Sequence, residues 1–190
     1  MLKDLILKNR SYRRFHQNEK ISVEQLRNWI DLARNSASAR NSQSLKYILS
    51  TDESLNAQIF EQLAWAGYLT TWKGPDEGER PLAYIVLLHD TLVSGNYFCD
   101  DGIAMQSILL GATEDGFGGC IIHSVNRNKL REILNLSEQY EILYVLALGK
   151  PKETVVLEEM NEGDVKYWRD ENEVHHVPKR GLDEIILKEK

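Results

Sequence analysis

Seven residues near the start of the chain, Asn9-Arg10-Ser11-Tyr12-Arg13-Arg14-Phe15, put three guanidinium groups and a hydroxyl within five positions. Arginine offers a rigid fork of donors that stays charged, so such a cluster can hold a phosphate or another anion through charge-assisted hydrogen bonds. Taken alone, it is equally a solvated basic patch. A second cluster, Ser38-Ala39-Arg40-Asn41-Ser42-Gln43-Ser44, offers two amides and several hydroxyls. These can satisfy the polar edge of a planar heterocycle, or simply close an ordinary turn. A third, Gly116-Phe117-Gly118-Gly119-Cys120, permits close approach of backbone to a ligand, or serves as a helix C-cap and turn. It is not the GxGxxG fingerprint, because it follows a helix where that fingerprint opens one. Near the end, His175-His176-Val177-Pro178-Lys179-Arg180 supplies two more cations. The adjacent histidines lack the spacing of a helical zinc motif, so no metal site is expected. Cys120 has no base near it in sequence and reads as a buried structural thiol. No Walker A run, G-x-S-x-G elbow or H-E-x-x-H occurs. No catalytic dyad is expected, which suits a protein whose chemistry is carried by an organic cofactor.

The elements that must position these groups follow from periodicity. Leu2, Leu5 and Ile6 have helical spacing, which places Arg10 to Arg14 near a helix end. Ser22, with Gln25 three positions later, predicts a capped helix carrying Val23, Leu26, Trp29, Ile30 and Ala33 on one face. Residues 37–44 read as a loop, followed by a strand from Leu45 to Leu49. Leu55, Ile59, Leu63 and Ala66 predict one further helix. Residues 73–81 read as an exposed loop bordering a site. Ala83 to His89 is a continuous apolar run of strand length. Asp100 to Asp115 is the longest helix, apolar on more than one side. Gly118-Gly119 are read as part of a turn before Cys120-Ile121-Ile122. Asn126 caps a short helix with Arg131 on its surface, and Ile142 to Leu148 is the last internal strand. The polar, aromatic tail and the apolar stretch Leu182 to Leu187 suit packing on a partner. This alternation implies an α+β or three-layer α/β core and leaves strand order open.

The chain of 190 residues suffices for one domain, and its 42% hydrophobic and 27% charged residues predict a folded one. A formal charge of −6 argues against a general nucleic-acid surface while leaving room for a local anion site. Two cysteines do not make a disulfide framework. Neither a signal peptide nor a run of about 20 apolar residues is evident, so no membrane partner and a cytoplasmic location are expected.

In this order, the clusters resemble the FMN-dependent nitroreductase family over nearly the whole chain. Arg10-Ser11-Tyr12-Arg13-Arg14-Phe15 is similar to the family opening, with Asn9 where a basic residue is common. Residues 37–44 resemble its Pro-Ser-x-x-Asn-x-Gln-Pro loop without either proline. Asp101 to Ala112 with Gly116 to Cys120 resembles its central helix and glycine turn, and Val177-Pro178-Lys179-Arg180 its terminal phosphate-side segment. The resemblance implies a three-layer α/β/α sandwich with a central, mainly antiparallel sheet in a single domain, residues 158–190 extending onto a partner subunit. It implies noncovalent FMN, with Arg10, Ser11, Arg180 and, less directly, Lys179 on the phosphate. Arg13 would lie at the pyrimidine edge and stabilise negative charge there. Ser38, Asn41 and Gln43 would reach the same FMN from the other subunit of a homodimer, and Gly118 and Gly119 would lie near the reactive edge of the ring. The implied reaction is ping-pong, with NAD(P)H as donor and a small planar acceptor such as a nitroaromatic or quinone. Specialisation for another redox reaction (oxidation or reductive dehalogenation), or FMN binding without catalysis, are the competing expectations.

Overall fold

The run Ala83–Asp90 is buried at every position and forms strand β2, an inner strand of the main sheet. The protein is described by a computed structural model covering residues 1–190. Strand β1 (Leu45–Ser50) pairs with β2, β2 with β4 (Tyr140–Gly149), and β4 with β3 (Gly118–Ile122), every pair antiparallel. Because β2 and β4 are covered on both faces, their side chains are continuously apolar or aromatic from Ala83 to Leu88 and from Ile142 to Leu148, and not alternately polar.

The pleat sends alternate residues to two cores. Ile85, Leu87, Leu146 and Leu148 face helices α2 (Val23–Arg34) and α4 (Asp100–Glu114), meeting Leu26, Trp29, Ile108 and Ala112. Tyr84, Val86, Leu88, Val145 and Ala147 face the other way, toward Ile59 of α3 (Glu53–Phe60) and Leu130 of α5 (Arg127–Ile133). Helices on both faces of an antiparallel sheet make the expected α/β/α layering. The predicted caps form: Ser22 accepts from the Gln25 amide, with the Gln25 side chain returning to the Ser22 amide, and Asn126 accepts from the Lys129 amide. Helix α1 (Leu2–Lys8) ends at Asn9, directly before the arginine cluster.

Three expectations need correction. Helix α3 stops at Phe60, because Leu63 bridges Val125 and the Ala64 amide bonds the Ser124 carbonyl at 2.9 Å, drawing the chain into a pairing that a helix excludes. Gly118 and Gly119 are the first residues of β3; the turn is made at Gly116, whose φ is +76°. Arg131 is no free surface side chain, since it donates to the carbonyls of Ser137 at 2.7 Å and Tyr140 at 2.6 Å. Within the single chain, the tail makes a sheet of its own and packs in part on the rest of the domain. Strands β5 (Val155–Glu159), β6 (Trp168–Arg169) and β7 (His175–Lys179) form a small second sheet, β7 central and parallel to β5. Tyr167 packs against Tyr68, and the Arg169 guanidinium lies over Trp72. Val165, Trp168 and the last residues, including α6 (Leu182–Ile185), keep apolar side chains exposed. No helix is long and apolar enough to cross a membrane.

Candidate functional site

The arginine cluster leaves α1 and runs alongside β3. The Tyr12 amide donates to the Gly119 carbonyl at 3.0 Å, and Ser11 forms a parallel bridge with Gly119. A side chain at Gly119 would collide with the Ala147 carbonyl and with Leu148, so glycine is required there for β3 to lie against β4. Arg10 donates from Nη2 to the Ile6 carbonyl at 2.6 Å, a cation on the open carbonyls of a helix C-terminus. Its Nε is buried and has no partner.

Arg13 is buried, and a set of residues far away in sequence holds it. Its amide donates to Glu153, whose carboxylate also accepts from the Arg14 amide at 3.3 Å and from Arg169 at 3.2 Å. Its guanidinium lies 5.0 Å over the Tyr167 ring and donates to the Ser11 carbonyl at 3.2 Å. Nη1 is 3.3 Å from Nε2 of His175. Burial first, then the charges of Arg13, Arg169 and His176, push the His175 pKa down to about 4, so the ring is neutral at pH 7. A guanidinium only donates, which makes His175 Nε2 the acceptor and puts the ring proton on Nδ1. That Nδ1 is also buried without a partner.

Arg10, Ser11, Arg13, Tyr167, His175 and Lys179 together line a cavity of about 280 Å³ that also touches Asn9, Gln106 and Val177. Three cations and no carboxylate face it. The unpartnered Arg10 Nε and His175 Nδ1 are donors without acceptors, and an anion with several oxygens satisfies that set. The residues present therefore fit a phosphate-bearing cofactor. Arg180 is not among them: its guanidinium pairs with Glu184 one turn along the chain. Gly118 and Gly119 do not line the cavity either, and reach it only through the backbone pairing with Ser11 and Tyr12.

The amide loop builds a second cavity, of about 310 Å³, lined by Ser38, Asn41, Gln43, Tyr47, Asp100 and Ala104 among others. Three of its residues have left-handed backbone, Arg40 at φ +56°, Asn41 at +53° and Gln43 at +52°. Non-glycine residues hold such φ values only where their surroundings enforce them, and such strain gathers at functional sites. Here Asp100 does the enforcing. Its carboxylate accepts from Ser38 Oγ at 2.6 Å and from the Ala39 amide at 2.8 Å, while Ser38 Oγ accepts from the Gln43 amide at 3.0 Å. Gln43 Nε2 donates to the Asn41 carbonyl at 3.3 Å. Nearby, burial and the Asp100 charge push the Tyr47 pKa up to about 12, so its hydroxyl stays protonated.

The two cavities share no residue, so within one chain the two polar clusters do not meet. Nothing in the sequence pattern marks Asp100 or Glu153 as site residues; the run Tyr167-Trp168-Arg169 reads as packing side chains, and His175 is weighed only as a metal ligand. Cys120 is buried as expected, and burial raises its thiol pKa. No group of His, Cys, Asp or Glu is placed to hold a metal ion.

Residues 98–150, from the start of α4 through β4, match the profile of the nitroreductase family. A solved nitroreductase family protein from Clostridium novyi NT superposes with a TM-score of 0.66 at 27% identity, over 80% of this chain and 87% of that one. The chain has the nitroreductase fold. Among curated proteins, the nitroreductase-like chain is similar to YodC of Bacillus subtilis (strain 168), which carries an NAD(P)H nitroreductase name, at 24% identity over 77% of this chain and 88% of YodC. A nitroreductase-type structure from Exiguobacterium sibiricum 255-15, solved in complex with FMN, has a TM-score of 0.66 at 15% identity, over 80% of this chain and 89% of that one.

Proposed function

We propose that the chain is an FMN-dependent oxidoreductase that takes electrons from NAD(P)H and passes them, in ping-pong order, to small flat acceptors such as nitroaromatics and quinones. One observation carries the reading: a cavity faced by three cations and no carboxylate, one of them Arg10, whose buried Nε has no partner in the protein. The nitroreductase fold, the NAD(P)H nitroreductase name of YodC and the FMN held by the Exiguobacterium protein support it. When bound, the flavin supplies hydride acceptance from a reduced nicotinamide and electron delivery to the acceptor.

The chain's own residues bind and tune. Arg10, Ser11 and Lys179 hold the phosphate, and Arg180 joins them only by giving up Glu184. Arg13 lends positive charge to the pyrimidine edge, where reduction places negative charge. Glu153 and His175 fix Arg13 in position, and no side chain is required as a general acid or base. Ser38, Asn41 and Gln43 complete the site from a second copy in a homodimer, and the Gly118-Gly119 backbone lies near the ring edge. The work is done in the cytoplasm. Purified protein is expected to be yellow, to release FMN on heat denaturation, and to bleach when NADH or NADPH is added without oxygen. Release of FAD, failure to take up FMN on reconstitution, or a bound flavin that neither nucleotide reduces would overturn the proposal.

A further inference from the structure

A further cavity, of about 560 Å³, shares no lining residue with either cavity of the flavin proposal and lies within the size range of small-molecule sites. Leu82, just before β2, and Tyr84 within it form one side, Asn56 and Phe60 of α3 another, and residues 17–21 a third. Two polar groups in it lack protein partners. Asn56 is only 9% exposed; its Nδ2 donates to the Leu82 carbonyl at 2.9 Å, but its Oδ1 is buried and accepts nothing. Arg80 lies 4.3 Å over the Phe60 ring with a buried, unpartnered Nε and no ion pair, because the adjacent Glu79 is taken by Arg14 and Lys152. The loop carrying Arg80 is pinned, since Gln17 Oε1 accepts from the amides of Gly78 at 2.7 Å and Arg80 at 3.0 Å.

A buried acceptor without a donor and a buried cationic donor without an acceptor are each costly. Within one cavity they call for a ligand that brings both an anion and a donor. Ile21, Ala57 and Leu82 offer apolar wall for the rest of it. We propose that this cavity is a second binding site, for a small carboxylate that carries a neighbouring N–H or O–H donor, with Arg80 on the carboxylate and Asn56 Oδ1 on the donor. Glu19 and Glu53, which also line the cavity, make an ammonium donor acceptable.

Calorimetric titration of the FMN-saturated protein with three probes tests this. Phenyllactate, phenylalanine and 3-phenylpropionate share the carboxylate and the ring, and differ only in having a hydroxyl, an ammonium or no donor on the carbon beside the carboxylate. At least one of the two donor-bearing probes is expected to bind at least about tenfold more tightly than 3-phenylpropionate. Arg80→Met, which loses no side-chain hydrogen bond within the protein, is expected to weaken that binding by about tenfold or more while FMN affinity stays the same. Asn56→Leu is expected to erase the advantage of the donor. If Asn56→Leu does not fold, Arg80→Met still decides. The proposal is overturned if no probe binds at millimolar concentration, if 3-phenylpropionate binds as well as the others, or if binding survives Arg80→Met.

Discussion

Arg10 is the residue on which the cofactor proposal bears most directly, because it alone of the cavity's arginines has a buried nitrogen without a partner. A charge-assisted bond from it to a phosphate contributes about 1.5–3 kcal/mol, so Arg10→Ala is expected to weaken FMN binding about ten- to one-hundred-fold. Loss of its bond to the Ile6 carbonyl frays the end of α1, and a thermal melt of the FMN-free protein separates that effect from lost affinity. Arg131 does not serve as a control, since it ties α5 to β4, whereas the exposed Arg27 makes no side-chain hydrogen bond and does. Equal FMN retention by Arg10→Ala and Arg27→Ala would remove Arg10 from the site. Arg10, Ser11, Arg13 and Lys179 were legible in the sequence because their chemistry is carried in their own charges and hydroxyls. Glu153 and His175 were not, because they reach Arg13 across 140 and 162 residues, a separation no local pattern encodes. Arg180 has a local partner instead. A carboxylate four residues ahead satisfies it locally.

Elements long enough to repeat their period were legible, and junctions were not. The predicted strand and helix cores of the sandwich follow from apolar runs of the right length, but α3 ends early because Leu63 and Ala64 pair with residues 60 or more positions away. The loop at 73–81 shows how a polar stretch can hide a structural part. Glu79 accepts a bidentate fork from Arg14 and a further bond at 2.7 Å from Lys152, and its carbonyl accepts from the Phe15 amide at 3.0 Å. The loop thus clamps the segment that carries the arginine cluster. Hydrogen bonding from Arg14, reinforced by Lys152, holds the Glu79 carboxyl down to about 2 from an ordinary value of 4.5. A carboxylate depressed on folding adds stability above pH 4.5 that is lost as the pH falls toward 2. Glu79→Gln, which keeps the shape and removes the charge, is therefore expected to cost about 1–3 kcal/mol at neutral pH. Melts from pH 7 to pH 2 should show the gap between wild type and variant closing below pH 4.5. A gap that stays constant across that range would mean that the ion pair contributes nothing through its charge.

At the scale of the whole molecule, the separation of the two polar clusters becomes informative. Each cavity is at or below the small end of the range for ligand sites, and in a single chain neither can lend its groups to the other. In the proposed homodimer the cationic cavity of one copy meets the amide loop of the other, and exposed apolar residues such as Leu182 and Ile185 of α6 are free to pack on the partner. Complementation tests this without a structure of the pair. Arg10→Ala disables one cluster, and Asn41→Gly disables the other; glycine is chosen because Asn41 sits at φ +53°, where alanine would add strain unrelated to the lost amide. Each variant alone is expected to be nearly inactive. On co-expression with different tags, random pairing makes about half of the dimers mixed, and each mixed dimer holds one doubly damaged site and one intact site. About a quarter of all sites then regain wild-type composition, and the preparation should recover up to about a quarter of wild-type activity, concentrated in the doubly tagged species. A site built within one chain predicts no recovery, because every site keeps a lesion. Doubly tagged dimers that fold, load FMN at saturating cofactor and yet are no more active than either parent would rule out the shared site.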